Sequence, residues 1–236
     1  MKKVLLAFAL ALLLCPAARA DDADAPAQPC SIPVYLVQAV QSQLRAVVQL
    51  DNGGIFSPNR MWSAVVDRDG ILCSVTKVGD AWPGSRAIAI AKAETANDFS
   101  NDALSLSTAM LYAATQPGGS LYGLNNSNPF NPKFNAETTQ SGSGTGVGHD
   151  PGGIITFGGG VALYVGGKVI GGLGVSGDSS CADHTIAYRM RRAVHLDGIP
   201  TGIMASDNIQ YPPTGQPPTG FEQPHCFPQD LAPGAI

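Results

Sequence analysis

The chain has 236 residues, 28 of them glycine and 18 proline, with 44% hydrophobic and only 14% charged side chains. Its 14 basic and 18 acidic residues give a formal net charge of −4, the wrong sign for a nucleic-acid binder. No segment after residue 20 reaches the ~18 apolar residues of a membrane span, so one globular domain with a good core is expected and no membrane insertion.

In chain order, Lys2 and Lys3, the apolar run Val4–Leu14 and the small-x-small site Ala18-Arg19-Ala20 read as a secretory signal peptide over residues 1–20. Cys15 follows Leu14, where a lipoprotein site requires a small residue, so a lipid anchor is not expected. A periplasmic or secreted protein follows, cleaved near Ala20-Asp21. Losing Lys2, Lys3 and Arg19 leaves 11 basic residues against 18 acidic ones, a net of −7. Residues 21–32, acidic and rich in Ala and Pro, read as a disordered leader.

Pro33 to Leu50 places Val34, Val37, Val40, Leu44, Val47 and Val48 at helical spacing, with Ser31 as a cap. Met61 to Val78 reads as a hairpin turning at Asp67–Gly70. Ser85 to Asn97 is an Ala-rich helix. Leu104 to Thr115 reads as another, ended by Pro117 and Gly118-Gly119. Residues 125–153 are a long loop, inserted for function or as ornament. A second β region, Ile154 to Val175, turns at Gly166-Gly167. The last helix, Cys181 to Leu196, is capped by Asp178 or Ser179. Residues 199–236 are a Pro/Gly-rich tail of extended coil, leaving 33–198 as the domain. The order argues for an antiparallel sheet with helices on its faces, an α+β domain.

Four cysteines follow the signal peptide. In an exported chain an even number suggests two disulfides. Three pairings are open and spacing does not choose. The pairing Cys181–Cys226 with Cys30–Cys73 is preferred because it staples the tail to the core. No C-x-x-C or related metal spacing exists.

The stretch 171–180, G-G-L-G-V-S-G-D-S-S, contains G-x-G-x-x-G in Gly172, Gly174 and Gly177, with Asp197 about 20 residues on. A dinucleotide site also needs a parallel strand returning after the helix. Here the helix runs into Pro200 and the tail, and the strand before the glycines belongs to a tight hairpin, so the cofactor reading fails. Ser179 as a hydrolytic nucleophile needs a histidine base, and its spacing fits a helix cap better. Glycines inside a strand mark close approach of another backbone or a ligand.

The histidines are His149, His184, His195 and His225. Imidazole is a common metal ligand, so His184, beside Asp183 and Cys181, and His149 in the long loop are candidates. His195 suits the helix C-terminus. Tyr112, Tyr122 and Tyr164 are alternative oxygen ligands. Arg86 and Lys92 bracket the small-residue run 87–91 and read as snorkelling surface residues or as partners for carboxylates, Arg bidentately.

Lys92-Ala93-x-Thr95-Ala96-x-x-Phe99, Gly159-Gly160-Val161-Ala162-Leu163 and Val169-Ile170-Gly171-Gly172-Leu173-Gly174-Val175-Ser176-Gly177, with Asp183 opening the last helix, together resemble the GlcG/HbpS family. The likeness covers roughly Pro33 to Leu196. Its exported branch is similar at Met61-Trp62, at Trp82 to Arg86, at Gln116 to Leu121, at Gly177 to His184 and in the four cysteines. The resemblance implies a five-stranded antiparallel sheet with flanking helices, in profilin-like layers, and a homo-oligomer, often an octamer. It also implies haem, but no ligand motif carries over residue by residue; the residues expected to serve here are Arg86 or Lys92 toward the propionates, Phe99 in the groove, and His184, Tyr112, Tyr122 or His149 toward iron. A binding protein is expected, in haem or iron uptake, storage or degradation, with any haem-degrading activity weak. The alternatives are an enzyme on a small hydroxy acid, using Asp183 and His184 as its acid–base pair, and an oligomeric interaction module displaying loop 125–153.

Overall fold

The computed structural model describes residues 26–135, 146–200, 205–215 and 218–236. The signal peptide, the start of the leader and the middle of the long loop lie outside the described residues. The elements are α1 (Val34–Val47), β1 (Met61–Asp67), β2 (Leu72–Val78), α2 (Ser85–Asp98), the one-turn helices α3 (Tyr112–Thr115) and α4 (Pro132–Asn135), β3 (Gly160–Val165), β4 (Lys168–Ser176) and α5 (Ser180–Ala193).

The sheet has four strands in the order β2-β1-β4-β3, one fewer than expected, and every pairing is antiparallel. It separates two layers. Met61, Val65, Val161, Leu163, Leu173 and Val175 join Val40, Leu44 and Val47 of α1 and Ile186 and Met190 of α5 in the main core. Trp62, Ala64 and Val66 point the other way and meet Ala89, Ile90 and Ala93 of α2. The alternation along β1 follows from the two-residue period of a strand.

The α2 layer explains the glycines of β4. A Cβ on Gly172 would collide with the Ala93 carbonyl, and one on Gly174 with the Ala89 carbonyl. Ala89 and Ala93 are one helical turn apart, so backbone lies on backbone with only small residues between. The G-x-G-x-x-G pattern is a packing surface, and both neighbours of β4 are antiparallel.

Three local expectations change. The helix expected over 104–115 reduces to α3, because its polar groups are used elsewhere. Ser105 Oγ donates to Asp207, and Thr108 exchanges hydrogen bonds with Gly160, its N–H to the Gly160 carbonyl (3.1 Å) and its Oγ1 accepting the Gly160 N–H (2.9 Å). Ser31 does not cap α1. Its N–H (2.7 Å) and Oγ (2.9 Å) both donate to Asp67 Oδ2, while Asp67 Oδ1 closes the β1–β2 turn from Asp69 and Ile71. Tyr164 does not present a free oxygen: its hydroxyl donates to the Asn101 carbonyl (2.8 Å).

Both preferred disulfides form, Cys30–Cys73 and Cys181–Cys226. The first fixes residues 26–32 to β2. The second fixes the tail to α5, where Asp207, Ile209 and Gln223 are buried.

Candidate functional site

The turn from β4 into α5 builds the most charged part of the interior. Ser179 is the N-cap, its Oγ accepting the Ala182 N–H. Asp178 accepts instead from Ile55, Phe56 and Asn59, tying the 51–60 loop to this corner. With the helix start fixed, α5 aims Asp183, His184 and Arg191 inward, all at most 2% exposed.

Lys92 reaches from α2 across the sheet end to Asp183 (2.7 Å) and the Val175 carbonyl (3.2 Å). A Cβ on Gly159 would sit 2.7 Å from Lys92 Nζ, so glycine keeps this channel open. Burial is the dominant influence on both partners. It raises Asp183 to about 6 against the Lys92 charge, and it lowers Lys92 against the Asp183 charge. Asp183 is therefore mostly ionised at neutral pH and titrates in mild acid.

Arg191 makes the second buried pair, a two-pronged contact with Asp207 of the tail (2.6 Å to each oxygen) plus the Ala162 carbonyl (2.9 Å). Burial alone would raise Asp207. The Arg191 charge, its hydrogen bonds and the Ser105 hydroxyl outweigh this and hold the carboxyl below its ordinary value. Between the two pairs lies His184. Its Nε2 accepts the Ile209 N–H of the tail (2.9 Å), and its Nδ1 is buried without a partner. Burial lowers its pKa to about 4 against the Asp207 charge, with the Arg191 and Lys92 charges adding to the burial effect, so the imidazole is neutral.

The structure separates the expected haem residues into two sets. Arg86, Lys92 and His184 are fully buried. Arg86 donates to the Phe134 carbonyl (3.3 Å), so neither it nor Lys92 is a snorkelling surface residue. Asp183 and His184 are sealed alike, which removes the acid–base pair from contact with a substrate in this form. The accessible set is Phe99, Tyr112 and His149, half-buried, and Tyr122, 69% exposed. His149 stacks on Phe134 with ring centroids 4.2 Å apart. His195 is exposed after α5, and His225 stacks on Tyr211 at 3.6 Å.

Haem needs an apolar wall, cations for its carboxylates and an iron ligand. A groove of about 460 Å³, lined by Ile71, Phe134, His149 and Pro26, supplies an aromatic wall and an imidazole, with Asp69 and Asp150 at its rim. That volume lies in the ordinary range of small-molecule sites. A second groove, of about 500 Å³, has Ala46, Val47, Leu50 and Ala193 as its floor beside Arg189 and Arg192, matching an amphipathic carboxylate. The imidazole and the guanidiniums that haem would take lie in different grooves, and the imidazole groove has Asp69 and Asp150 rather than a cation among its lining residues.

Sequence reading missed Asp207, Gln223 and Glu94. Gln223 accepts the Gly158 N–H (2.6 Å) and donates to Ser180 Oγ (2.8 Å) from within a Pro-rich segment. Glu94 is 2% exposed, its Oε1 has no partner, and burial, then Asp150, Asp98 and Asp67, holds it well above the ordinary carboxyl value. Its neighbours in the helix, Lys92, Thr95, Asn97 and Asp98, are polar as well, so nothing in the sequence singled it out.

Comparison with known proteins agrees with this architecture. The corrinoid adenosyltransferase PduO of Citrobacter freundii is 32% identical over 133 residues, 56% of this chain, and that of Salmonella typhimurium matches equally. The chain spans about a third of the length of those two proteins, 32%. Among solved structures, the PduOC:heme complex shares 25% identity at a TM-score of 0.52, covering 71% of this chain and 98% of that one. The Klebsiella pneumoniae protein ORFY, at 24% identity and TM-score 0.51 over 73% of this chain and 96% of its own, shares the fold. The family model described as haem degrading protein HbpS-like matches residues 57–191. That match takes in more than half of the residues and every strand of the sheet, and the chain belongs to the HbpS-like family.

Proposed function

We propose that the chain is an exported haem-binding protein. One observation carries this reading: nearly all of a domain solved with haem aligns to it, at 25% identity. Two disulfides accord with life outside the cytoplasm. No described helix is long and apolar enough to cross a membrane.

His149 is the proposed iron ligand. It is accessible, it lines a groove with an aromatic wall, and a neutral imidazole nitrogen suits iron. Tyr112 and Tyr122 are the alternative ligands. Bound haem would supply an iron centre with open redox and ligand chemistry, while this chain would supply the wall, the donor and the exclusion of water. A homo-oligomer, which would add a second copy's surface to a shallow groove, belongs to the same proposal.

The test is titration of the purified chain with hemin, with mass measured by size-exclusion chromatography and light scattering. A saturable Soret shift is expected, weakened by about tenfold or more in His149→Ala and unchanged in His184→Ala. A flat titration overturns haem binding. Binding that depends on Tyr112→Phe or Tyr122→Phe instead overturns His149 alone.

A further inference from the structure

The family match stops at residue 191, yet the chain continues through a tail that buries Asp207, Asn208, Ile209, Glu222 and Gln223. Three of these close over α5 and the β3 entry: Asp207 on Arg191, the Ile209 N–H on His184 Nε2, and Gln223 on Gly158 and Ser180. All three lie inside the 45-residue loop closed by Cys181–Cys226. They cover an imidazole whose other nitrogen has no partner. A buried polar atom without a partner is costly and calls for a reason.

We propose that the tail is a disulfide-latched strap masking His184, and that opening Cys181–Cys226 presents this imidazole to a transition-metal centre. With the latch closed, the strap occupies Nε2 and excludes solvent. With it open, the strap is held by hydrogen bonds, the Arg191–Asp207 pair and the packing of Ile209 against Ala109 and Cys181, and it lifts as a unit. Local opening of this kind needs less free energy than global unfolding. For haem iron as the metal the proposal rests on the function proposed above; exposure of His184 does not.

The latch opens by dithiol exchange. A thiolate of the reductant attacks Cys226 Sγ, the half-buried sulfur of the pair. The S–S bond breaks and its electron pair leaves on Cys181 Sγ. The second thiol of the reductant then displaces Cys226, so the reductant departs as its own disulfide and its two protons end on Cys181 and Cys226. Cys181 lies in the first turn of α5 and its sulfur accepts the Cys226 N–H (3.2 Å), a setting that stabilises the leaving thiolate. Asp230 lies beside the same pair, holding the Cys226 and Phe227 N–H groups.

The experiment is carbethoxylation of the full chain by diethyl pyrocarbonate, read at each histidine by mass spectrometry. In the oxidised protein, exposed His195 and His225 label and His184 does not. After reduction by dithiothreitol, alkylation of the freed thiols and removal of the reductant, and in Cys181→Ser/Cys226→Ser without reductant, His184 labelling accelerates by about tenfold or more as the loop constraint is lost. Cys30→Ser/Cys73→Ser, which frees only the leader, leaves His184 protected. Trp62 emission follows the α2-side core in every sample. Labelling of His184 in the closed chain, protection that survives opening, or labelling that appears only together with exposure of Trp62 each overturns the strap. Hemin added to the open chain tests the metal separately: a Soret change lost in His184→Ala supports it, and an open, labelled His184 that leaves the spectrum unchanged overturns haem as its ligand.

Discussion

The two buried ion pairs differ in almost everything except burial. Lys92–Asp183 joins α2 to α5 within the family domain and is built from groups that can give up their charge: burial brings Asp183 to about 6 and lowers Lys92. Arg191–Asp207 joins α5 to the tail. Its guanidinium cannot deprotonate, and its partner is held below the ordinary carboxyl value. A buried pair that can neutralise tolerates the loss of a partner, whereas one locked in the charged form does not. The first pair is therefore adjustable, and the second keeps its charge for as long as the tail is seated, at the point where the family match stops.

The sharpest way to break this contrast is to remove one acceptor. Asp207→Ala leaves Arg191 charged and buried and strips Ser105 of its acceptor, so a loss of about 3–5 kcal/mol is expected in urea denaturation. Lys92→Met leaves a carboxyl that protonates instead, and should cost about 1–3 kcal/mol at pH 8, less at pH 5, where Asp183 is already mostly neutral. Equal, pH-independent losses in the two variants would erase the distinction.

A smaller effect lies in neighbouring residues of α5. The folded pKa of Asp183, about 6, is above its ordinary 3.8, so its contribution is complete at low pH and is lost as pH rises through 6. The folded pKa of His184, about 4, is below 6.5, so its contribution is complete above 6.5 and is lost as pH falls toward 4. The slopes oppose each other across roughly pH 4–6. His184→Gln should leave stability falling with pH over that window, and Asp183→Asn should leave it rising, each by about 1–3 kcal/mol. Urea midpoints at pH 4, 5 and 6 would show it, and slopes of the same sign in the two variants would refute it.

Much of the scaffold was legible because the information is local. Apolar spacing in α1, the two hairpins and the Ser179 cap lie within a few residues of one another, and Gly172 and Gly174 announced a close approach without saying of what. The helix expected over 104–115 failed because Ser105 and Thr108 spend their hydrogen-bonding groups on Asp207 and Gly160, partners no window contains. Lys92 and His184 stood out by residue type, but their partners lie 91 and 25 positions away. Pro-rich composition read the tail as extended coil and hid that Ile209 and Gln223 are buried in it. A glycine-poor, apolar tail segment would have been noticed, and this one was not.

Gly172 and Gly174 have a consequence for hydrogen exchange. Both lie on the strand between β1 and β3, roofed by the α2 backbone itself. With no side chain in between, α2 has no rotamer to shift and no gap through which a water or hydroxide ion could pass. Their amides should exchange only through global unfolding, among the slowest in the molecule. A flexibility scale based on composition would rank the same stretch among the loosest, and native-state exchange followed by NMR decides between the two.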